Sequence, residues 1–122
     1  MKIRIKGNTV RYRLTKSEVD KLCVEGYFEE KTQFSSATFR YSVKSSDATE
    51  ISIDFNENKI QVLIPNELLQ DWDTNDRVGF SNSVITVDGS AVNILIEKDF
   101  VCLDERGEDE SDNYPNPKLQ QE

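Results

Sequence analysis

The chain has 122 residues, of which 36% are hydrophobic, and a formal net charge of −8. This length predicts one domain with one hydrophobic core, and no apolar run approaches the roughly 20 residues that a membrane-spanning helix needs. The absence of histidine excludes Ser-His-Asp and Cys-His catalysis and zinc sites built on histidine. The first residues, MKIRIKGN, lack the continuous apolar core of a signal peptide, so we expect a cytoplasmic protein.

The two cysteines, Cys23 and Cys102, are too few for a disulfide framework and do not match a zinc-binding spacing. We therefore expect a reducing compartment and no cofactor. A net charge of −8 disfavours nucleic acid as a partner, because affinity for a phosphate backbone depends chiefly on Lys and Arg.

The charge is unevenly distributed along the chain. Residues 1–14 contain five cations and no acid, whereas residues 104–122 contain seven acids and two bases. This asymmetry predicts an attraction between the two ends of the chain.

The first segment predicts a β-hairpin, because KIRIK and TVRYRL both alternate around the turn signal Gly7-Asn8. A two-residue turn fixes the register of the two strands. In this register one face of the hairpin is apolar and the other is cationic. Like charges that lie opposite each other in a sheet cost about 0.2–1 kcal/mol per pair. We therefore expect an anionic group over the cationic face, which contains Lys2, Arg4, Arg11 and Arg13.

A short helix is predicted after the hairpin. Thr15 and Glu18 have the spacing of a capping box, and Gly26 is suited to end the helix. Cys23 lies on the predicted apolar face of this helix, so it is interpreted as a small core residue rather than a nucleophile.

The rest of the chain alternates with a period of two, apart from a second short helix predicted in PNELLQDWD. The predicted fold class is α+β, mainly an antiparallel curved sheet or open barrel of about eight strands with two short helices. The predicted domain comprises residues 1–103, and residues 104–122 form an acidic C-terminal extension.

This extension has three interpretations. It is a solubilising tail, a segment docked on the N-terminal hairpin, or a binding site for a divalent cation. We favour docking, in which Tyr114 anchors the segment and acids face the cations. The acids are Glu108, Asp109 and Asp112.

The cation site is the alternative interpretation, because hard cations such as calcium and magnesium prefer oxygen ligands. Its candidate ligands are Asp99, Glu108, Asp109 and Asp112, and the same carboxylates are the candidates for a hydrolase. The order of acids and glycine that defines an EF-hand is absent from this stretch.

Four stretches together carry a resemblance: MKIRIKGNTVRYRLTKSEVDKL, VLIPNELLQDW, VGF and IEKDFVCLDERGEDESDNYPNP. The chain resembles a family of small bacterial proteins known only as a domain of unknown function. The resemblance implies a bacterial origin and one compact domain, and it brings no activity or catalytic residue.

The functional prediction is a non-enzymatic binding or interaction module, with a protein or an anionic ligand as its partner and without a role at a membrane. The alternative prediction is a divalent-metal-binding protein or a carboxylate-based hydrolase that uses the C-terminal acidic cluster.

Overall fold

The computed structural model describes residues 1–100 and 111–115. One β-hairpin precedes each of the two helices, and another follows it. In chain order they are β1 (Lys2–Lys6), β2 (Thr9–Leu14), α1 (Lys16–Glu25), β3 (Tyr27–Gln33), β4 (Thr38–Ser46), β5 (Ser52–Asn56), β6 (Lys59–Pro65), α2 (Asn66–Leu69), β7 (Gly79–Ile85) and β8 (Ala91–Lys98).

The eight strands form two four-stranded sheets, with the order β1-β2-β8-β7 in the first sheet and β3-β4-β6-β5 in the second. The predicted α+β class with about eight strands and two short helices is confirmed. The prediction of a mainly antiparallel sheet or open barrel is wrong in two respects. The central pairs, β2 with β8 and β4 with β6, are parallel, and the sheets are not closed into a barrel.

The two halves of the chain repeat the same order of elements. The first half runs hairpin, α1, hairpin from β1 to β4, and the second half runs hairpin, α2, hairpin from β5 to β8. The first hairpin and helix of each half align with a shift of fifty positions, so that Val10 corresponds to Ile60 and Leu22 to Trp72. All four of these residues are buried.

Each sheet combines the first hairpin of one half with the second hairpin of the other half. The first sheet joins β1 and β2 to β7 and β8, and the second joins β5 and β6 to β3 and β4. The parallel pairing in the middle of each sheet is the place where the two halves meet. The molecule therefore has an internal pseudo-two-fold topology.

The core lies between the facing sheets and under the two helices. The ring of Tyr12 in β2 packs 6.0 Å from the ring of Tyr41 in β4, and the Tyr12 hydroxyl donates to the carbonyl oxygen of Ile60 at 3.4 Å. Helix α1 contributes Val19 and Leu22 to this core. Because these contacts come from both halves of the chain, the two halves share one hydrophobic core.

Helix α1 begins and ends as its sequence predicts. The Glu18 carboxylate accepts the backbone N–H of Thr15 at 2.8 Å, which satisfies a donor at the start of the helix. Gly26 adopts a left-handed conformation with φ +73°, and its N–H donates to the carbonyl oxygen of Leu22.

None of the helices within the described residues has the length and apolar character of a membrane span.

Candidate functional site

The outer surface of the first hairpin carries a row of cations on each strand. The observed register pairs Lys2 with Arg13, Arg4 with Arg11 and Lys6 with Thr9, as the turn signal predicted. Alternation along a strand puts these side chains on the face opposite to buried Val10 and Tyr12. We call this surface the basic face, and it comprises Lys2, Arg4, Lys6, Arg11 and Arg13.

The neighbouring strand β8 supplies one carboxylate to the basic face. The parallel register places Glu97 beside Arg13, and one Glu97 oxygen lies 3.1 Å from Nε of Arg11 and 3.8 Å from Nε of Arg13. A single negative charge is thus shared by two guanidinium groups.

Asp99 provides a second carboxylate at the Lys2 end of the basic face. Its oxygen Oδ2 lies 3.2 Å from Nζ of Lys2, and the residue is only 1% exposed. The backbone N–H of Asp99 donates to the carbonyl oxygen of Leu14, which fixes this residue where β2 ends. The Lys2 end of the face is therefore electrostatically matched.

The Arg4 end of the face is different. Among residues 1–100 and 111–115, no carboxylate forms an ion pair with Arg4 or Lys6. Two adjoining surface cavities of about 260 Å³ and 280 Å³ share Arg4 and Arg11 in their linings, and the smaller one also contacts Lys6 and Thr9. This end offers several hydrogen-bond donors and positive charge to a small anionic group.

The C-terminal segment 111–115 lies at helix α1 and the end of β8. The Asp112 carboxylate accepts the Ser17 hydroxyl at 2.6 Å and the Ser17 N–H at 3.3 Å, and the Asp112 carbonyl accepts the N–H of Lys16. These contacts lower the pKa of Asp112, chiefly through the Ser17 hydroxyl. Asp112 thus satisfies donors at the start of α1, whereas the docking interpretation predicts it among the acids that face the hairpin cations.

Tyr114 anchors the same segment, but against different partners from those predicted. Its backbone N–H donates to the carbonyl oxygen of Asp99, and its ring packs 5.7 Å from the ring of Phe100. Glu108 and Asp109 lie outside the described residues. The division into a domain of residues 1–103 and a docked extension of residues 104–122 stays a prediction.

The predicted metal site stays a prediction, because only two of its four ligands, Asp99 and Asp112, lie in the part of the chain that the structure describes. No group of three or more Cys, Asp or Glu side chains within it is arranged to hold a metal ion. Asp99 pairs with Lys2, and Asp112 contacts Ser17. Cys23 donates its thiol to the carbonyl oxygen of Leu69, and burial raises its pKa, which fits a core residue. Cys102 lies outside the described residues.

A further cavity of about 400 Å³ is lined by a buried cation, Lys98, which no sequence motif indicates. Lys98 is only 4% exposed, its Nζ donates to the carbonyl oxygen of Asn75 at 2.6 Å, and it lies 4.9 Å from the centre of the Tyr114 ring. Burial lowers the pKa of Lys98 and raises that of Tyr114 to about 12. Because Lys98 already has a carbonyl and a ring as partners, we interpret it as a structural cation.

The pseudo-two-fold topology supplies an internal comparison for the basic face. The β5–β6 hairpin has the same two-residue loop and the same antiparallel register as β1–β2, with Phe55 opposite Ile60 where the first hairpin has Ile5 opposite Val10. No cation stands at the positions equivalent to the basic face, which are Ser52, Asp54, Asn56, Gln61 and Leu63. This hairpin therefore forms without the cations.

A family model described as "Family of unknown function (DUF7009)" matches residues 1–118. The chain belongs to DUF7009. The match confirms the resemblance over nearly the whole chain. No curated protein and no solved structure matches it. The description of DUF7009 names no activity, so function has to be argued from the geometry.

Proposed function

We propose that this DUF7009 protein is a non-enzymatic binding module whose basic face takes an anionic partner. The observation that carries the proposal is the difference between the two equivalent hairpins. Both have the same loop length and register, yet only the first has five cations on its outer surface. Since the fold does not require these cations, a functional reason for them is favoured.

The arrangement of the cations suits an anion. Residues directly opposite each other in an antiparallel pair have Cα atoms about 4.5–5.5 Å apart, so Arg4 and Arg11 are close enough to contact one oxyanion together. Guanidinium groups donate several N–H bonds in a planar fork that matches carboxylate and phosphate oxygens. A bound anion relieves the repulsion between the two side chains, which adds to its affinity.

The overall charge limits the kind of partner. The chain carries 23 acidic residues against 15 basic ones, so most of a long polyanion would meet repulsion beyond the basic face. A short anionic group or segment is therefore favoured over nucleic acid. We place the module in the bacterial cytoplasm as part of this proposal.

The alternative of a metal site or carboxylate-based hydrolase has no observation in its favour among residues 1–100 and 111–115. Its test is a titration with Ca²⁺, Mg²⁺ and Mn²⁺ followed by thermal melting, because a cation that binds the native state raises the melting temperature. A rise in melting temperature that is lost with Asp99→Asn would favour the alternative.

The proposal is tested with pyrophosphate and with a hexaglutamate peptide as probes, measured by calorimetry at low salt. We expect both probes to bind the parent protein, and the affinity to fall in the double variant Arg4→Gln with Arg11→Gln by about tenfold or more. The residue equivalent to Arg11 in the second hairpin is Gln61, so replacement of Arg11 by glutamine is compatible with a strand.

The matched control is Lys31→Gln with Lys44→Gln, which removes the same charge from exposed positions of the second sheet. Its affinity for both probes should stay within about twofold of the parent value, since screening weakens the effect of distant charges. Equal losses in the two double variants would show that net charge, and not the basic face, binds the probes.

A further inference from the structure

Strand β1 forms one edge of the first sheet. It pairs with β2 on one side, and no strand among residues 1–100 and 111–115 pairs with its other side. Its residues Arg4, Ile5 and Lys6 are all exposed. An edge strand presents a row of unpaired backbone N–H and C=O groups, which is a template for pairing with another extended chain.

The two faces of this edge differ in chemistry. Lys2, Arg4 and Lys6 point to the outer surface, whereas Ile3 and Ile5 point to the inner side. Ile3 packs against the core, but Ile5 remains 55% exposed. A strand added beside β1 would place alternate side chains next to the cations and the others next to Ile5.

Protection against unwanted pairing is the competing explanation for cations on an edge strand. The opposite edge of the same sheet argues against it. Strand β7, GFSNSVI, has no charged residue at all, and β5, the equivalent of β1 in the second sheet, has only Asp54. The remaining edge strand, β3, carries Glu29, Glu30 and Lys31. Two of the four edges thus have at most one charged residue, and β1 is the edge among the described strands whose charges are all positive.

We propose that the β1 edge binds an extended peptide in which acidic and apolar residues alternate, and that binding occurs by strand addition. The acidic residues contact the basic face around Arg4 and Lys6, and the apolar residues cover Ile5. This inference rests on the proposed function and names its partner. Pairing of β1 with β1 of a second copy is disfavoured, because it sets the same cations against each other.

The experiment compares the affinities of two peptides of the same composition for the full-length protein. One is Val-Glu-Val-Glu-Val-Glu-Val, and the other is Glu-Glu-Glu-Val-Val-Val-Val. Both are blocked at their ends and added to the ¹⁵N-labelled protein. We expect the alternating peptide to bind at least about tenfold more tightly, because only its alternation matches the two faces of the edge. The amide hydrogen of Ile5 should exchange more slowly in that complex, because it faces the open edge and becomes a donor to the added strand, whereas those of Arg4 and Lys6 already face β2.

Substitutions separate the apolar contribution from the charged one. Ile5→Thr keeps a β-branched residue in the strand and should weaken the alternating peptide about threefold or more, while pyrophosphate affinity is unchanged. The matched control is Phe55→Thr, which changes the equivalent exposed residue of the second hairpin and should leave both affinities unchanged.

The outcomes distinguish this inference from the proposed function. Equal binding of the two peptides without slower exchange at Ile5 overturns strand addition and leaves the anionic partner standing. Failure of pyrophosphate, hexaglutamate and both peptides to bind overturns both. Binding of the alternating peptide only after removal of residues 116–122 shows that the chain's own extension occupies the edge, which overturns a separate partner.

Discussion

Arg4 and Arg11 lie directly opposite each other on β1 and β2, and only Arg11 has a carboxylate within reach among the described residues. Glu97 contacts Arg11 from β8, on the side of β2 away from Arg4. Arg4 is therefore left with a like charge as its nearest cross-strand neighbour. Arg4 should therefore favour the binding of an anion and, at the same time, lower the stability of the folded protein.

Arg4→Gln should raise the free energy of unfolding by about 0.2–1 kcal/mol at low salt, because it removes a like-charge pair. The gain should shrink at about 1 M NaCl, where charges are screened within a few ångströms. Urea denaturation at both salt concentrations measures it. The control is Arg40→Gln, which removes an ion pair with Glu29 at 3.2 Å and should not stabilise the protein. An Arg4→Gln variant no more stable than the parent at low salt contradicts the repulsion.

Glu97→Gln should strengthen the binding of an anion and lower the stability of the protein, the opposite of the effects expected for Arg4→Gln. It frees Arg11 and Arg13 from their shared carboxylate, so we expect pyrophosphate affinity to rise by up to about fivefold, the equivalent of about 1 kcal/mol. The free energy of unfolding should fall by a similar amount or less. Calorimetry and urea denaturation measure the two quantities.

Glu25→Gln is the control for Glu97→Gln, since it makes the same change in net charge at the exposed end of α1. It should change neither quantity appreciably. A similar rise in affinity in both variants would assign the effect of Glu97 to net charge alone.

Asp112→Asn tests whether the segment 111–115 is held on α1. The lowered pKa of Asp112 means that the folded state favours the carboxylate, so its contribution is present above the unfolded pKa of about 3.9 and is lost as pH falls through the folded value. We expect the variant to be less stable than the parent by up to about 1 kcal/mol at pH 7, a value limited by the exposure of this group. The difference should disappear at about pH 2.

Ser17→Ala completes this test, because Ser17 is the hydroxyl partner of Asp112 at 2.6 Å. The double variant should lose less stability than the sum of the two single variants. Additive losses would show that the two side chains do not interact in solution.

Gly79→Ala should be strongly destabilising, although alanine is the smallest possible addition. A Cβ atom at Gly79 would clash with the carbonyl oxygen of Ile96 and lie 2.9 Å from Cα of Glu97, and both are backbone atoms that cannot turn away. We expect a loss of about 1–3 kcal/mol, the usual cost of overpacking. Thermal melting measures it, with Ser81→Ala in the same strand as a control that should remain near the parent.

The sequence was most informative where structure is local. The register of β1 and β2 follows pair by pair from alternation around Gly7-Asn8, and Glu18 caps α1 as its spacing predicts. The parallel pairing of β2 with β8 was not predictable, since it joins residues such as Val10 and Ile94 across most of the chain. Both strands alternate, and alternation alone does not reveal which strand pairs with which.

The candidate site could be predicted only where it depends on local structure. The cations of the basic face were identified from the hairpin, but the nearest acid came from Glu97 in a neighbouring strand and not from Asp112. The repeat between the halves does have a signal in the sequence, because the same alternation followed by a helix start recurs from Ser52 onward. That repeat identifies the cations as unnecessary for the fold.

The exchange of hairpins between the two halves has a consequence for how the chain acquires its structure. Strands β1 and β2 are made early, but β8, the parallel neighbour of β2, is the last of the described strands to be synthesised. Pairing that spans most of a chain forms slowly because the intervening loop must close first. We therefore expect the nascent chain to stay unfolded until synthesis has passed Lys98, and then to fold in a single cooperative step.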